Sequence, residues 1–406
     1  MRSKMPVRLI RSAASGERVC AMTSSARHWF FRTLTAAVHG GVDRTALRAE
    51  GATLDGLLDF SSNRAPLGAA PGVAAALARV DVEAYPDPRA AELATALAAY
   101  HGVSAGQVVV GNGSTELIRL IAQLALGPGD VALSLAPSFG EYELGTRLAG
   151  AEFAEVRLVR GAGGAAGGPA ADRGSGAPAG FDVDEPALRV ALGRLRPRLC
   201  WLCSPNNPTG AALGSALIER LAGDYPDTLF VLDEAYRDLL AEPQWSAALL
   251  AAGNLVVLHS LTKAWGLAGL RLGYALLEAG QAAALRAAAP PWNVNACAQA
   301  AGLAALADLA HYQGSVGLMR QGRDRLSAAL RERGWQVEPS AAGFFLVDMG
   351  DAPAARRVLL RGGCLVRDCS SFGLPAHVRV SPRLPEQNER LLAAFAALAP
   401  PPRRPA

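Results

Sequence analysis

The sequence predicts an α/β protein built on a mainly parallel sheet flanked by helices, and three observations carry that prediction. Between about residues 105 and 275, short apolar runs rich in β-branched residues alternate with amphipathic stretches; strands joined by crossover helices give this pattern. Half of the residues are hydrophobic and 43 are glycine, a composition suited to helices packed closely on a sheet. The polar and aromatic residues that could carry chemistry, among them Ser114, Phe139, Asn207, Asp233 and Lys263, fall just past the ends of expected strands. That is the edge at which open α/β sheets bind ligands.

The chain has 406 residues, more than one hydrophobic core usually holds, so a second, smaller unit is expected. Residues 1–38 are rich in Arg and Ser with Glu17 as their one acidic residue, which reads as a disordered extension of transit-peptide-like composition. Residues 39–104 form an N-terminal arm and first helix. In it, Leu58–Asn63 runs to the turn Pro66-Leu67-Gly68, so Asn63 is either a turn residue or part of an active-site mouth. Tyr85-Pro86-Asp87-Pro88 is rigid and extended because each proline fixes its own φ and biases its predecessor away from helix; it presents Tyr85 on an arm. Leu93 and Leu97 then lie on one face of a helix over 90–100.

The large α/β unit, 105–290, begins with the strand Val108–Val110, the turn Gly111–Thr115 and a helix opened by Glu116. First-turn amides lack intrahelical acceptors and the helix dipole favours negative charge, so this is an anion site. A dinucleotide fingerprint needs a third glycine where Glu116 stands, and no Walker lysine follows; one phosphate fits better than two. The strand Val131–Ala136 leads to Phe139, which is either core or an aromatic that stacks on a flat ring. Residues 161–180 are low-complexity Gly, Ala and Pro, expected as a flexible insertion. A helix over 185–195 and a strand over 199–202 precede Ser204–Gly210, whose two prolines hold Asn206 and Asn207 in a turn. The strand Leu229–Leu232 ends at Asp233 and Tyr236. A carboxylate there is costly to desolvate unless it meets a cation.

The strand Leu255–Leu258 delivers the turn holding Ser260, Lys263 and Arg271. A lysine amine can attack a carbonyl when its neighbours keep part of it unprotonated, and the hydroxyl and guanidinium beside it suit an anion. An aldehyde with a phosphate meets both demands, which describes pyridoxal 5'-phosphate (PLP); its protonated ring nitrogen would be the cation for Asp233. A small α+β domain over 291–399 follows, with a helix of small residues after Asn295, a long helix over 317–333, strands near 335–337, 344–347, 364–369 and 378–380, and a helix over 386–398. Residues 400–406 read as a disordered tail.

Composition excludes several classes. The net charge of +4 and the absence of a Lys/Arg run outside the ends exclude a nucleic-acid binder, and no apolar run is long enough to cross a bilayer. Six cysteines suit a reducing compartment, so a cytoplasmic location is expected. Cys200 and Cys203 read as core thiols, since no second pair is spaced for a metal.

From His39 to Leu398 these motifs resemble the fold-type I PLP-dependent enzymes, in the branch of class I/II aminotransferases that includes histidinol-phosphate aminotransferase and the threonine-phosphate decarboxylase of cobalamin biosynthesis. The resemblance implies a PLP-dependent transferase-like fold and a homodimer with shared active sites. Lys263 would bond to the cofactor, Asp233 would meet the pyridine nitrogen, Asn207 and Tyr236 the phenolic oxygen, and Phe139 the ring face. Ser114, Thr115, Ser260 and Arg271 would hold the phosphate, joined by Tyr85 from the partner subunit. Arg379 and Arg367 would bind the substrate's anions, with Asn63 beside them. Pro137–Tyr142, Pro291–Asn295 and Leu365–Phe372 look more like the decarboxylase, so the expectation is decarboxylation of L-threonine O-3-phosphate to (R)-1-aminopropan-2-yl phosphate. Transamination of histidinol phosphate or a related amino acid is the alternative. Ala65 stands where the family usually has a second asparagine.

Overall fold

Leu199–Cys203 is buried at every position, as a strand covered on both faces must be, and it lies in the middle of an eight-stranded sheet. The computed structural model describes residues 7–10, 34–51, 53–160, 180–240 and 243–402. The sheet runs Val7–Ile10, Glu152–Arg157, Val131–Ala136, Leu199–Cys203, Leu229–Asp233, Leu255–Ser260, Gly273–Leu276, Val108–Gly111. Its five central strands pair in parallel. Gly273–Leu276, expected as part of the turn after Lys263, is instead a strand antiparallel to both neighbours.

Helices cover both faces. On one, Ala91–His101, Glu185–Leu195 and Ser215–Asp224 bury their apolar stripes with one side of the strands; on the other lie Ser114–Ala125, Glu141–Leu148 and Ala279–Ala288. A separate core gathers Phe60, Trp335, Phe345, Val347, Leu359, Val378 and Phe395 around the four-stranded sheet Gln336–Val337, Phe345–Asp348, His377–Val380, Arg367–Asp368. The helix Leu309–Glu332 reaches from one core to the other, with Tyr312 against the first and Leu326 and Leu330 in the second.

Several expected boundaries shift. Val7–Ile10, from the stretch expected to lie outside the fold, pairs antiparallel with Glu152–Arg157 and edges the large sheet; the rest of 1–33 lies outside the described residues. The helix of small residues, Ala296–Leu306, was expected to open the smaller unit, yet Ala298, Ala301 and Ala305 pack into the larger core. Leu58–Asp59, expected in the arm, pairs in parallel with Cys364–Leu365 of the smaller unit. The expected insertion falls outside the described residues except for Gly180. Pro400 and Pro401, expected in a loose tail, lie against Gly334 and Gly350. The cysteines among the described residues are free, and no helix is long and apolar enough to cross a membrane among those residues.

Candidate active site

The parallel strands end along one edge of the large sheet, and beyond that edge the smaller unit closes a cavity of about 310 Å³. Ser114, Thr115, Phe139, Asn207, Asp233, Tyr236, Ser260, Lys263, Arg271, Arg367 and Arg379 all line it. Four of these are Lys or Arg, and Asp233 is the one carboxylate among the described lining residues, so the space favours anions.

Asp233 ends its strand and is buried. Its Oδ1 accepts the amide of Ala235 at 2.9 Å and its Oδ2 accepts the hydroxyl of Tyr142 at 2.8 Å. Burial pushes this carboxyl above its ordinary range, while those two hydrogen bonds and the charge of Lys263 pull it back. Lys263 Nζ lies 5.7 Å from the centre of the Tyr236 ring. Below it, Ser260 Oγ and Thr262 Oγ1 share a hydrogen bond of 2.7 Å.

Ser114 begins the helix Ser114–Ala125, whose N-cap, Gly113, offers no side chain to the first-turn amides. Arg271 lies beside that end of the helix. Its backbone is left-handed at φ 57°, Nη1 donates to Ala268 O at 3.0 Å, and Nη2 would meet a Cβ on Gly113 at 2.9 Å. A guanidinium over a bare helix N-terminus is an anion cradle, and Gly113, at φ +80°, leaves it room.

The other wall comes from the smaller unit. Arg379 donates to the side-chain oxygen of Asn207 and to Ser61 O at 2.6 Å, with its guanidinium 5.1 Å from the Phe344 ring centre. Because Asn207 gives its oxygen to Arg379, its NH2 is the group left for a partner in the cavity. Arg367 donates to Val38 O at 2.9 Å and Ser371 Oγ at 2.8 Å. The Nε atoms of both arginines are buried without a partner.

Two expected residues do not line this cavity. Asn63 is buried with a left-handed backbone, and both atoms of its amide lack partners. Tyr85 is 78% exposed and stacks on Trp292 with ring centres 4.4 Å apart. Conversely, His39, Ser61, Ser62, Tyr142, Cys203, Thr262 and Phe372 line the cavity without having been assigned a role from sequence. His39 bonds to Glu141 Oε1 at 2.9 Å, and Arg119 holds the other carboxylate oxygen at 3.0 Å. Cys203, read as a core thiol, is one: burial pushes it up to about 12. Thr262 adjoins Lys263 in sequence and Ser61 the motif around Asn63, so proximity could have flagged both; His39 and Phe372 arrive only by tertiary folding.

The chain matches the family described as aminotransferase class I and II over residues 55–395. The chain belongs to this family. Histidinol-phosphate aminotransferase of Symbiobacterium thermophilum is 39% identical over 353 residues, covering 85% of this chain and 91% of that protein. Histidinol-phosphate aminotransferase 2 of Methylococcus capsulatus is 36% identical, covering 84% and 89%. The crystal structure of histidinol-phosphate aminotransferase from Sinorhizobium meliloti, in complex with pyridoxal-5'-phosphate, superposes with a TM-score of 0.76 over 89% of this chain and 95% of that one, at 24% identity, which bears on fold alone. L-threonine-O-3-phosphate decarboxylase from Porphyromonas gingivalis superposes with a TM-score of 0.69 over 83% and 98%, at 28% identity. The expected fold is therefore the observed one. The expected preference for decarboxylation gives way: relatives with substantially higher identity carry the aminotransferase name.

Proposed function

We propose that this chain is a PLP-dependent aminotransferase that takes histidinol phosphate, or a closely related phosphorylated amino compound, as amino donor. One observation carries the reading: a lysine, a strand-end carboxylate hydrogen-bonded to Tyr142 and the Ala235 amide, and a helix N-terminus with an arginine beside it line a single cationic cavity. These groups fit PLP, whose aldehyde, ring nitrogen and phosphate need an amine, an acid and an anion cradle. The names of the relatives support the transaminating branch and its substrate.

When bound, PLP supplies a carbonyl for amines and a protonated ring that draws electrons from Cα. Lys263 would hold the cofactor through its aldehyde carbon, and its amine would move the proton at the substrate Cα. Asp233 holds the proton on the ring nitrogen. The NH2 of Asn207 and the hydroxyl of Tyr236 would hold the cofactor's phenolic oxygen, and Phe139 would pack on its ring. Ser114, Thr115, Ser260 and Arg271 bind the cofactor phosphate, with Tyr85 of the partner subunit completing that site in a homodimer. Arg379 and Arg367 bind the anionic ends of the amino donor and of its oxoacid partner.

Two substrates test the reaction. Purified enzyme with histidinol phosphate and 2-oxoglutarate should form glutamate, and with L-threonine O-3-phosphate it should release no carbon dioxide. Carbon dioxide release without any oxoacid would instead make it a lyase. Lys263→Ala should lose the visible absorbance of the lysine-linked cofactor, its fixation by borohydride and nearly all turnover; normal turnover would sink the assignment of this lysine.

A further inference from the structure

Tyr142 lies on the helix Glu141–Leu148 and is 1% exposed, yet its hydroxyl donates to Asp233 Oδ2 at 2.8 Å. Aromatic packing fixes the direction of that bond. Its ring stacks on Trp201 at 5.2 Å between centres and 9° between planes, and it meets Phe139 edge-on at 5.7 Å. Trp201 is itself held by Nε1, which donates to Thr146 Oγ1 at 3.2 Å. With Oδ1 taken by the Ala235 amide, the carboxylate is held at both oxygens and each keeps a lone pair to offer the cavity.

Burial, the nearby Asp233 charge and Cys203 push the Tyr142 hydroxyl far up, so it stays a donor. The same bond opposes the effect of burial on Asp233.

Resting on the cofactor reading above, we propose that Tyr142 is a positioning residue for the reaction. Its hydroxyl aims the Asp233 carboxylate at the cofactor's ring nitrogen and keeps it ionised, so the ring keeps its proton. Tyr142 touches neither substrate nor the reacting carbon; it acts through Asp233.

The test uses the full-length holoenzyme. Tyr142→Phe deletes one oxygen and leaves the stacking on Trp201 and Phe139, so a purely structural role would leave the cofactor's spectrum alone. A hydrogen bond to an ionised group is lost, and kcat should fall about tenfold or more with KM nearly unchanged. A ring that holds its proton less well withdraws less charge from the lysine linkage, so the pH midpoint of that linkage's absorbance should move upward. The dissociation constant for PLP should rise. Asp233→Asn runs in parallel, as does the double variant. If Tyr142 works through Asp233, its substitution in the Asp233→Asn background should cost much less than in the wild type. An unchanged absorbance titration in Tyr142→Phe, or additive losses in the double variant, would overturn the inference about Tyr142. Unchanged turnover and spectrum in Asp233→Asn would overturn instead the role given to the carboxylate, and with it the cofactor reading.

Discussion

Arg379 is 4% exposed, and a buried cation is costly unless hydrogen bonds replace its hydration. Asn207 and Ser61 supply them. Arg379→Ala should therefore raise KM for the amino donor at least about tenfold, because both a charge-assisted contact and the orientation of the Asn207 amide are lost; steady-state kinetics with donor and acceptor varied separately check this. Glu234, adjoining Asp233, tells a different story. It accepts from Trp245 Nε1 at 3.2 Å and from the Gln244 amide at 3.3 Å, and burial pushes its carboxyl up to about 7. The folded state holds that proton more tightly than the unfolded chain does, so the contribution to stability is complete below about 4.5 and is lost as pH rises through about 7. Glu234→Gln should consequently gain on the wild type by up to about 3 kcal/mol at pH 8 and not at pH 4. Denaturant melts at the two pH values measure the difference.

At the scale of elements, the turn from Leu261 to Leu272 carries the lysine and is wedged against the loop before it. Ala65 N donates to Lys263 O at 3.1 Å. Gly266 has φ +74°, and a Cβ there would meet the backbone of Gly68 at 2.4 Å. Neither the φ nor the space admits a side chain, so Gly266→Ala should destabilise by roughly 2–4 kcal/mol and loosen cofactor binding, seen as a lowered melting temperature and a weaker PLP affinity. The strand ends that carry Asp233, Asn207 and Lys263 were legible because uninterrupted apolar runs stop at turn residues. Gly273–Leu276 was not, since a glycine-rich stretch precedes it and its pairing is set by distant strands. The long helix begins at Leu309, two turns earlier than periodicity suggested; Gly314 and Gly317 masked those turns, and the cap is Asp308, which accepts from His311 N at 3.0 Å. Tyr142 and His39 stayed unread for a related reason. Their partners, Asp233 and Glu141, are 91 and 102 positions away, beyond any local spacing rule.

For the whole molecule, apolar side chains stand exposed around Tyr85. Val82 is 82% exposed and Trp292 44%; exposed apolar side chains of this kind fit a buried contact in an assembly. Light scattering should give twice the chain mass of 42.1 kDa. If Tyr85 serves the partner's site, mixing Lys263→Ala with Tyr85→Ala subunits should restore activity that neither homodimer has, because a hybrid contains one intact site. No gain after subunit exchange would confine each site to its own chain.

The pairing of Ser260 with Gly273 across the antiparallel strands sets how the intervening loop is strung between Lys263 and Arg271. Both ends are pinned: the amine by the strand it leaves, the guanidinium by the strand it enters. An insertion or deletion between them would slide one group past the other and, on the proposed roles of Lys263 and Arg271, misalign them with the aldehyde and phosphate of one rigid small molecule. If both groups hold one ligand, this hairpin is a gauge cut to its length, and among related chains its loop should drift in residue type while its length stays put.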